Sequence, residues 1–142
     1  MDAIDPVTSP LLHAWIPALE VAERRLRRGA RVAEIGVAAA SAAIPLALAY
    51  PASTFHGFDA DADVVATIRG AIARAGLSDR VTYEVLRRGA LGSSRFDLVR
   101  DPGSRSSEIR PARGALRPGG VWIGAGADGV TVRPRSALLQ GW

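Results

Sequence analysis

The chain has 142 residues, of which 48% are hydrophobic and 23% charged, a balance typical of one globular domain with a real core. It has no cysteine, which excludes disulfides and thiolate metal sites. The net charge of +4 permits a nucleic-acid partner without requiring one. The acidic start has no apolar signal core, so we expect a cytoplasmic protein.

The first 30 residues predict a helical segment. Ser9 and Pro10 are typical of a helix start, Pro17 is expected to kink the helix, and Gly29 to end it. Apolar residues then recur at helical spacing: Leu12, Trp15, Ile16, Leu19, Ala22 and Leu26. The arginines near the end of this helix are interpreted as a solvated helix end rather than an RNA-binding patch, because no aromatic residues are interleaved with them.

Short apolar runs and helical patterns then alternate through residues 31–133. Predicted strands are Val32–Gly36, Thr54–Phe58, Val81–Leu86, Phe96–Val99 and Val121–Gly124. Predicted helices are Ala42–Tyr50, a helix capped by Asp61 with a buried stripe of Val64, Val65, Ile68, Ile72 and Ala75, and at most a short helix within Glu108–Leu116. Loops or turns are predicted at Arg87–Arg95, at Pro118-Gly119-Gly120, and at Asp128-Gly129, which leads into a last strand, Val130–Arg133.

Two prolines carry part of this interpretation. Pro45 lacks an amide hydrogen, so the helix that contains it is predicted to begin no earlier than about Ser41. From Ile35 to Phe58 the chain has no charged residue, which is long enough for a membrane span. Pro45, Pro51 and several polar residues interrupt this stretch, so we reject a membrane segment.

The alternation of strands and helices predicts an α/β domain with a parallel sheet. We expect strand order 3-2-1-4-5, right-handed crossovers and an antiparallel edge strand at the C-terminal side. The whole chain is interpreted as a single domain, with a helical segment at 1–30, an α/β core at 31–133 and a tail at 134–142.

Four segments together resemble the motifs of class I S-adenosylmethionine-dependent methyltransferases of the small-molecule type. They are VAEIGVAAASAAIPLALAYPASTFHGFDAD, AGLSDRVTYEV, FDLV and GALRPGGVWI. The resemblance implies a Rossmann-like fold, reduced in size, and S-adenosylmethionine as the cofactor. It also implies a cofactor motif of the form acid-x-Gly-x-Gly-x-Gly, which Glu34 and Gly36 match, whereas Ala38 and Ala40 replace the second and third glycines.

The resemblance assigns two more positions to the cofactor. Asp59, at the end of the second strand, would accept hydrogen bonds from the ribose hydroxyls; the alternative is that Asp59 or Asp61 only caps the next helix. Arg87 stands where the family usually has an acid that contacts the adenine amine. Arg87 and the two alanines both predict an impaired cofactor site.

Carboxylates are expected to gather at the carboxyl edge of the sheet, where open α/β sheets bind ligands. These are Glu34, Asp59, Asp101 and Asp128, with Asp59 and Asp101 the candidates for catalysis. The pocket is expected between the first and fourth strands, walled by Val37–Ser41 and Arg100–Ser104. No metal site is predicted, because His13 and His56 lie in separate elements, and His56 is interpreted as a packed strand residue.

Three functions remain open. The first is a methyltransferase-like domain that no longer methylates and binds an organic small molecule, as a repurposed cyclase or isomerase. The second is an active small-molecule methyltransferase. The third is a non-catalytic pseudoenzyme that supports a partner protein. Because the tail from Ser136 to Trp142 is short and apolar, we also expect a homodimer or a docked partner protein.

Overall fold

The computed structural model describes residues 22–101, 112–126 and 129–139, without the side chains of residues 37–42, 125–131 and 139. The predicted features at Ser9, Pro10, Pro17 and Asp128 lie outside these ranges. Helix α1 covers residues 22–28 of the described chain. Gly29 follows it with a φ of +108°, so this glycine ends the helix as predicted.

Five strands, two further helices and shorter helical turns follow α1. They are β1 (Arg31–Ile35), α2 (Val37–Ala49), β2 (Thr54–Asp59), α3 (Ala62–Arg74), β3 (Val81–Val85), β4 (Phe96–Asp101), a helical turn at residues 112–115 and β5 (Leu116–Gly126). A sixth strand, β6 (Gly129–Pro134), and a 3-10 helix (Arg135–Leu139) complete the described chain.

The six strands form one sheet in the order β3-β2-β1-β4-β5-β6. Neighbouring strands are parallel from β3 through β5, and β6 pairs antiparallel with β5 as a hairpin that joins Gly126 to Gly129. The predicted fold class, strand order and antiparallel edge strand are therefore confirmed.

Helix α3 follows the local rules of its sequence closely. The carboxylate of Asp61 accepts hydrogen bonds from the amides of Asp63 and Val64, which is the predicted N-cap. Val65 and Ile72 are buried, as the predicted stripe requires, but Ala75 is exposed because the helix ends at Arg74.

The predicted boundaries of three elements, α2, β4 and β5, are wrong by two residues or more. Helix α2 begins at Val37, four residues before Ser41, and holds Pro45 inside it. Pro45 denies a hydrogen bond to the carbonyl of Ser41, at a cost of about 3 kcal/mol, which the burial of residues such as Leu46 against the core offsets. Strand β4 runs on to Asp101 rather than ending at Val99.

The third error concerns the turn predicted at Pro118-Gly119-Gly120. These residues belong to β5, which starts at Leu116. The pairing register with β4 shifts between Phe96 and Leu98, so β5 carries extra residues there, and Gly119 adopts a φ of +80°. The residues that predict a turn thus form a bulge within a strand.

The sheet has two faces, each with its own apolar core. On the helix face, α1, α2 and α3 pack over the strands through residues such as Leu26, Leu46, Val65 and Phe55. On the second face, Phe58, Phe96 and Trp122 pack with the helical turn at residues 112–115 and with Leu138 of the 3-10 helix.

Leu138, in the predicted tail, packs against its own domain. Its side chain is only 4% exposed and belongs to the core of the second face, so this leucine covers its own domain. No helix in the described part of the chain is long and apolar enough to cross a membrane.

Candidate functional site

A single residue, Gly36, connects β1 to α2 at the carboxyl edge of the sheet. Its φ is +92°, a conformation that glycine adopts without strain, and its amide donates a 2.7 Å hydrogen bond to the carbonyl of Phe58. A Cβ added at Gly36 would meet no atom of the described residues within 4 Å. The backbone here is therefore open to the approach of a ligand.

Ala38 and Ala40 do not lie in a loop. Both belong to the first turns of α2, where the backbone is helical and a glycine is not required. The segment Val37–Ser41, predicted as a loop wall of the pocket, is thus helix, and the predicted second wall begins inside β4 with Arg100 and Asp101.

Asp59 lies at the carboxyl edge, at the end of β2. It is half-buried, and its Oδ1 accepts a 2.9 Å hydrogen bond from the amide of Asp61. Asp61 caps α3, whereas Asp59 lies at the edge of the sheet. This arrangement leaves Asp59 at the carboxyl edge of the sheet without a role as the cap of α3.

Arg87 lies two residues beyond the end of β3, which is the neighbour of β2. Its residue is exposed, and its carbonyl accepts a hydrogen bond from the amide of Ala90, so it begins a turn. A cation therefore stands at the same edge of the sheet as Asp59.

The most unusual feature lies one residue below this edge. Glu34 of β1 and Arg100 of β4 face each other in register, and Arg100 Nη1 donates a 3.0 Å hydrogen bond to Glu34 Oε2. The two side chains are 0% and 2% exposed. Burial raises the pKa of the Glu34 carboxyl to about 7, and the Arg100 guanidinium opposes this shift only in part.

Tyr83 lies two strands away from Glu34, on the same face of the sheet. It pairs with Gly57 on β2, and Gly57 in turn pairs with Glu34. The ring of Tyr83 occupies the space above Gly57, where a Cβ would overlap it. Neither the Tyr83 hydroxyl nor Glu34 Oε1 has a hydrogen-bond partner among the described residues. Burial and the nearby Glu34 carboxylate raise the pKa of Tyr83.

A small cavity adjoins the Glu34–Arg100 pair. It lies between β1 and β4 and beneath α1 and α2, and Glu34, Arg100, Leu26 and Leu46 are among its lining residues. Its volume is about 10 Å³, the space of roughly one water molecule. This cavity lies inside the core of the helix face and is far too small for an organic ligand, so the ligand pocket expected at the carboxyl edge stays a prediction.

Comparisons with known proteins bear on the fold. No protein-family model matches the chain, and no curated protein matches it. Among solved structures, a proposed sarcosine dimethylglycine methyltransferase from Galdieria sulphuraria is similar, at 18% identity and a TM-score of 0.67, covering 80% of this chain and 46% of that one.

Two further structures match at higher identity. The [4+2]-cyclase SpnF is 27% identical with a TM-score of 0.65, over 78% of this chain and 44% of its own. The S-adenosylmethionine-dependent methyltransferase SibL, in its apo form, is 27% identical with a TM-score of 0.59, over 80% of this chain and 36% of its own. This chain has the fold of the class I methyltransferases. It spans about half the length, or less, of these matches.

Within the methyltransferase fold, the structure sorts the predicted site residues into three groups. Gly36, Asp59 and Arg87 lie at the carboxyl edge. Glu34 is turned into the interior and paired. Asp101 follows Arg100 in β4, so it points to the second face, where it is buried.

Sequence reasoning missed Arg100 and Tyr83. Arg100 falls in a predicted loop because β4 is predicted to end at Val99, two residues too early, although the opposite charges of Glu34 and Arg100 near the ends of two central strands are a usable signal. Tyr83 gave no such signal, because its place over Gly57 depends on pairing between strands 26 residues apart.

His56 is half-buried in β2, and its Nδ1 lies 3.1 Å from the hydroxyl of Thr82. His13 lies outside the described residues. In the described ranges, no three histidine or carboxylate side chains come close enough to hold a metal ion.

Proposed function

We propose that this methyltransferase-like domain binds an organic small molecule at the carboxyl edge of its sheet, holds S-adenosylmethionine only weakly and does not methylate its ligand. It would then be a repurposed biosynthetic enzyme of the cyclase or isomerase type. The observation that supports this best is the connection between β1 and α2, which consists of Gly36 alone.

A glycine-rich loop at this point lets the backbone wrap the methionine end of the cofactor. Here the positions of the second and third glycines, Ala38 and Ala40, are already helical. A helix cannot follow the contour that the loop provides. The fit to S-adenosylmethionine is therefore partial: Gly36 and Asp59 suit it, whereas the turn after Gly36 does not.

Arg87 adds a second, independent mismatch. An exposed guanidinium has only donors, so it cannot accept the hydrogen bond that an adenine amine offers. Loss of one such contact corresponds to roughly a tenfold or greater loss of affinity. The similarity to the [4+2]-cyclase SpnF supports chemistry other than methyl transfer on this fold.

An active methyltransferase is the second candidate. It is favoured by the half-buried Asp59 at the end of β2 and by the open space beside Gly36. Both features match the cofactor site that the resemblance to the methyltransferases implies.

Titration calorimetry with S-adenosylmethionine and S-adenosylhomocysteine distinguishes the two candidates. We expect very weak binding by the native chain and at least a tenfold gain for the triple variant Ala38→Gly, Ala40→Gly, Arg87→Asp. The matched control changes two exposed α3 alanines and the neighbouring arginine, as Ala66→Gly, Ala73→Gly, Arg88→Asp. Low-micromolar binding by the native chain would establish the methyltransferase instead.

Association with a second copy or a partner protein belongs to the same proposal. The β6 strand is the last of the described sheet, and Arg133 and Pro134 blunt only its end. Light scattering at micromolar concentration is expected to give a mass above that of one chain. A mass of one chain at all concentrations, with no partner needed for stability, would contradict this part.

A further inference from the structure

A basic cluster lies on the second face of the sheet, away from the carboxyl edge. It consists of Arg31, Arg95 and His56. We propose that this cluster binds the phosphate group of a small molecule, or phosphate itself, through the two guanidinium groups and the imidazole N–H.

Strand register brings the three residues together. His56 pairs with Ala33 on β1, and Arg31 lies two residues before Ala33, so Arg31 and His56 share one face. Arg95 immediately precedes β4, and its guanidinium carbon lies 4.8 Å from the ring centre of Phe96. The His56 ring centre lies 5.6 Å from the same ring, so Phe96 packs against both side chains.

The hydrogen bonding of His56 leaves a donor available. When the Thr82 hydroxyl donates to Nδ1 at 3.1 Å, the proton of the neutral ring is on Nε2. The ring is half-buried and therefore held in place, with Nε2 as the remaining polar atom. An oxyanion beside it would receive one N–H from the ring.

Among the described residues, the carboxylates near the cluster have other partners or lie further along the sheet. Asp97 accepts from the backbone amide of Arg31 at 2.8 Å, and its other oxygen pairs at 3.3 Å with the guanidinium of Arg117, which compensates its charge. Glu84 is on the same face but pairs with Phe58, one step further towards the carboxyl edge. The side chain of Arg31 is exposed and has no hydrogen bond or ion pair among the described residues.

Electrostatics agree with this geometry. Burial lowers the pKa of His56, and repulsion from Arg95 and then Arg31 lowers it further. Like charges brought together destabilise the fold unless an anion lies between them. Guanidinium groups bind phosphate oxygens through paired hydrogen bonds, which matches two arginines facing one ligand. The observations favour a small ligand over nucleic acid, because among the described residues the cluster consists of three groups and Phe96 is buried.

The chain offers its own spectroscopic probe, since it contains only two histidines, His13 and His56. Imidazole NMR signals would be followed while inorganic phosphate, glycerol phosphate or pyrophosphate is added at constant ionic strength. We expect a saturable shift of the His56 signals and a rise of the His56 pKa, with the His13 signals unchanged. A response to inorganic phosphate alone, or a stronger one to the esterified forms, identifies which source of phosphate the site prefers.

Two variants test the arginines. Arg31→Gln and Arg95→Gln are each expected to weaken phosphate binding about tenfold or more, while Arg88→Gln, an exposed arginine in the loop after β3, leaves it unchanged. Because Arg95 packs on Phe96, Arg31→Gln is the decisive variant if Arg95→Gln misfolds. Equal shifts with sodium chloride, an unchanged response in Arg31→Gln, or binding of an oligonucleotide without a phosphate response would each overturn the proposal.

Discussion

The two halves of the sheet are covered in different ways. Strands β1, β2 and β3 are joined by α2 and α3, which pack on the helix face. In the other half, β5 carries a bulge and follows a helical turn at residues 112–115, and β6 pairs with β5 as a hairpin. The second face of this half is covered by short pieces such as the 3-10 helix that carries Leu138. The first half follows local rules, whereas the second depends on a few large side chains such as Trp122.

The halves meet at β1 and β4, and the Glu34–Arg100 pair lies at that junction. A buried ion pair contributes little net stability, because desolvation offsets attraction, yet removing one partner is costly. The junction of β1 with β4 therefore depends on a charged pair, whereas apolar packing holds each half of the sheet together.

The largest effect is expected from Arg100→Met. This change leaves the Glu34 carboxyl buried without its cation, at a cost of roughly 3–5 kcal/mol. Denaturant unfolding monitored by tryptophan fluorescence measures it. The double variant Glu34→Gln, Arg100→Met should recover most of the loss, and a double variant as unstable as Arg100→Met alone would show that the pair is not the cause.

A pH series tests the same Glu34–Arg100 pair. The folded-state pKa of Glu34 is about 7, above its ordinary value of 4.5, so the folded chain holds this proton more tightly than the unfolded chain. The resulting stabilisation is complete below about pH 4.5 and is lost as the pH rises through 7. The stability of the native chain relative to Glu34→Gln should therefore fall steadily from about pH 4.5 to about pH 7 and stay level above pH 7. An unchanged difference would exclude a titrating Glu34.

Leu138→Ala tests how far the second half depends on isolated side chains. Leu138 is 4% exposed, so truncation should cost about 2–4 kcal/mol. The matched control is Leu48→Ala in α2, where the leucine is 58% exposed and the expected change is below about 0.5 kcal/mol. Similar losses at both positions would contradict the assignment of Leu138 to the core.

Gly57→Ala probes the aromatic cover in the first half. A methyl group at Gly57 would overlap the ring of Tyr83, so the ring must move, at a cost of about 1–3 kcal/mol. Near-ultraviolet circular dichroism and thermal unfolding would report the change. A neutral effect would mean that Tyr83 can leave its place freely.

The smallest expected effect is a gain. Gly70 lies in α3, and among the described residues a Cβ there meets the flexible end of Arg74, at 3.2 Å. Gly70→Ala should stabilise the helix by about 0.5–1 kcal/mol, since alanine has the higher helix propensity. Thermal unfolding beside Gly57→Ala gives the contrast, and a loss of stability at Gly70 would show hidden crowding around α3.

Local signals predicted much of the fold because they act over a few residues. Asp61 and Gly29 marked helix ends correctly, and alternating elements required parallel pairing in the observed order. The predicted start of α2 is wrong because the sequence shows the cost of Pro45 but not the burial that offsets it. The division into a helical segment, core and tail stays a prediction.

The candidate site was less accessible to sequence reasoning. The carboxyl edge with Gly36 and Asp59 followed from strand order, which the sequence pattern contains. The pairing of Glu34 with Arg100 depends on the register of two strands far apart in the chain, and no local rule encodes register. Tyr83 was missed for the same reason.

The Glu34–Arg100 contact also bears on how fast the chain reaches its native state. The two residues are 66 positions apart, so a long stretch of chain must be ordered before they meet. Contacts of this separation raise contact order and slow folding, whereas the β5–β6 hairpin forms locally. In a half-formed sheet each charge would still be hydrated, and it must lose that water as β4 docks on β1. We therefore expect β4 to dock on β1 late in folding. Desolvation of the ion pair would slow this step, and apolar replacement of the pair would remove the delay.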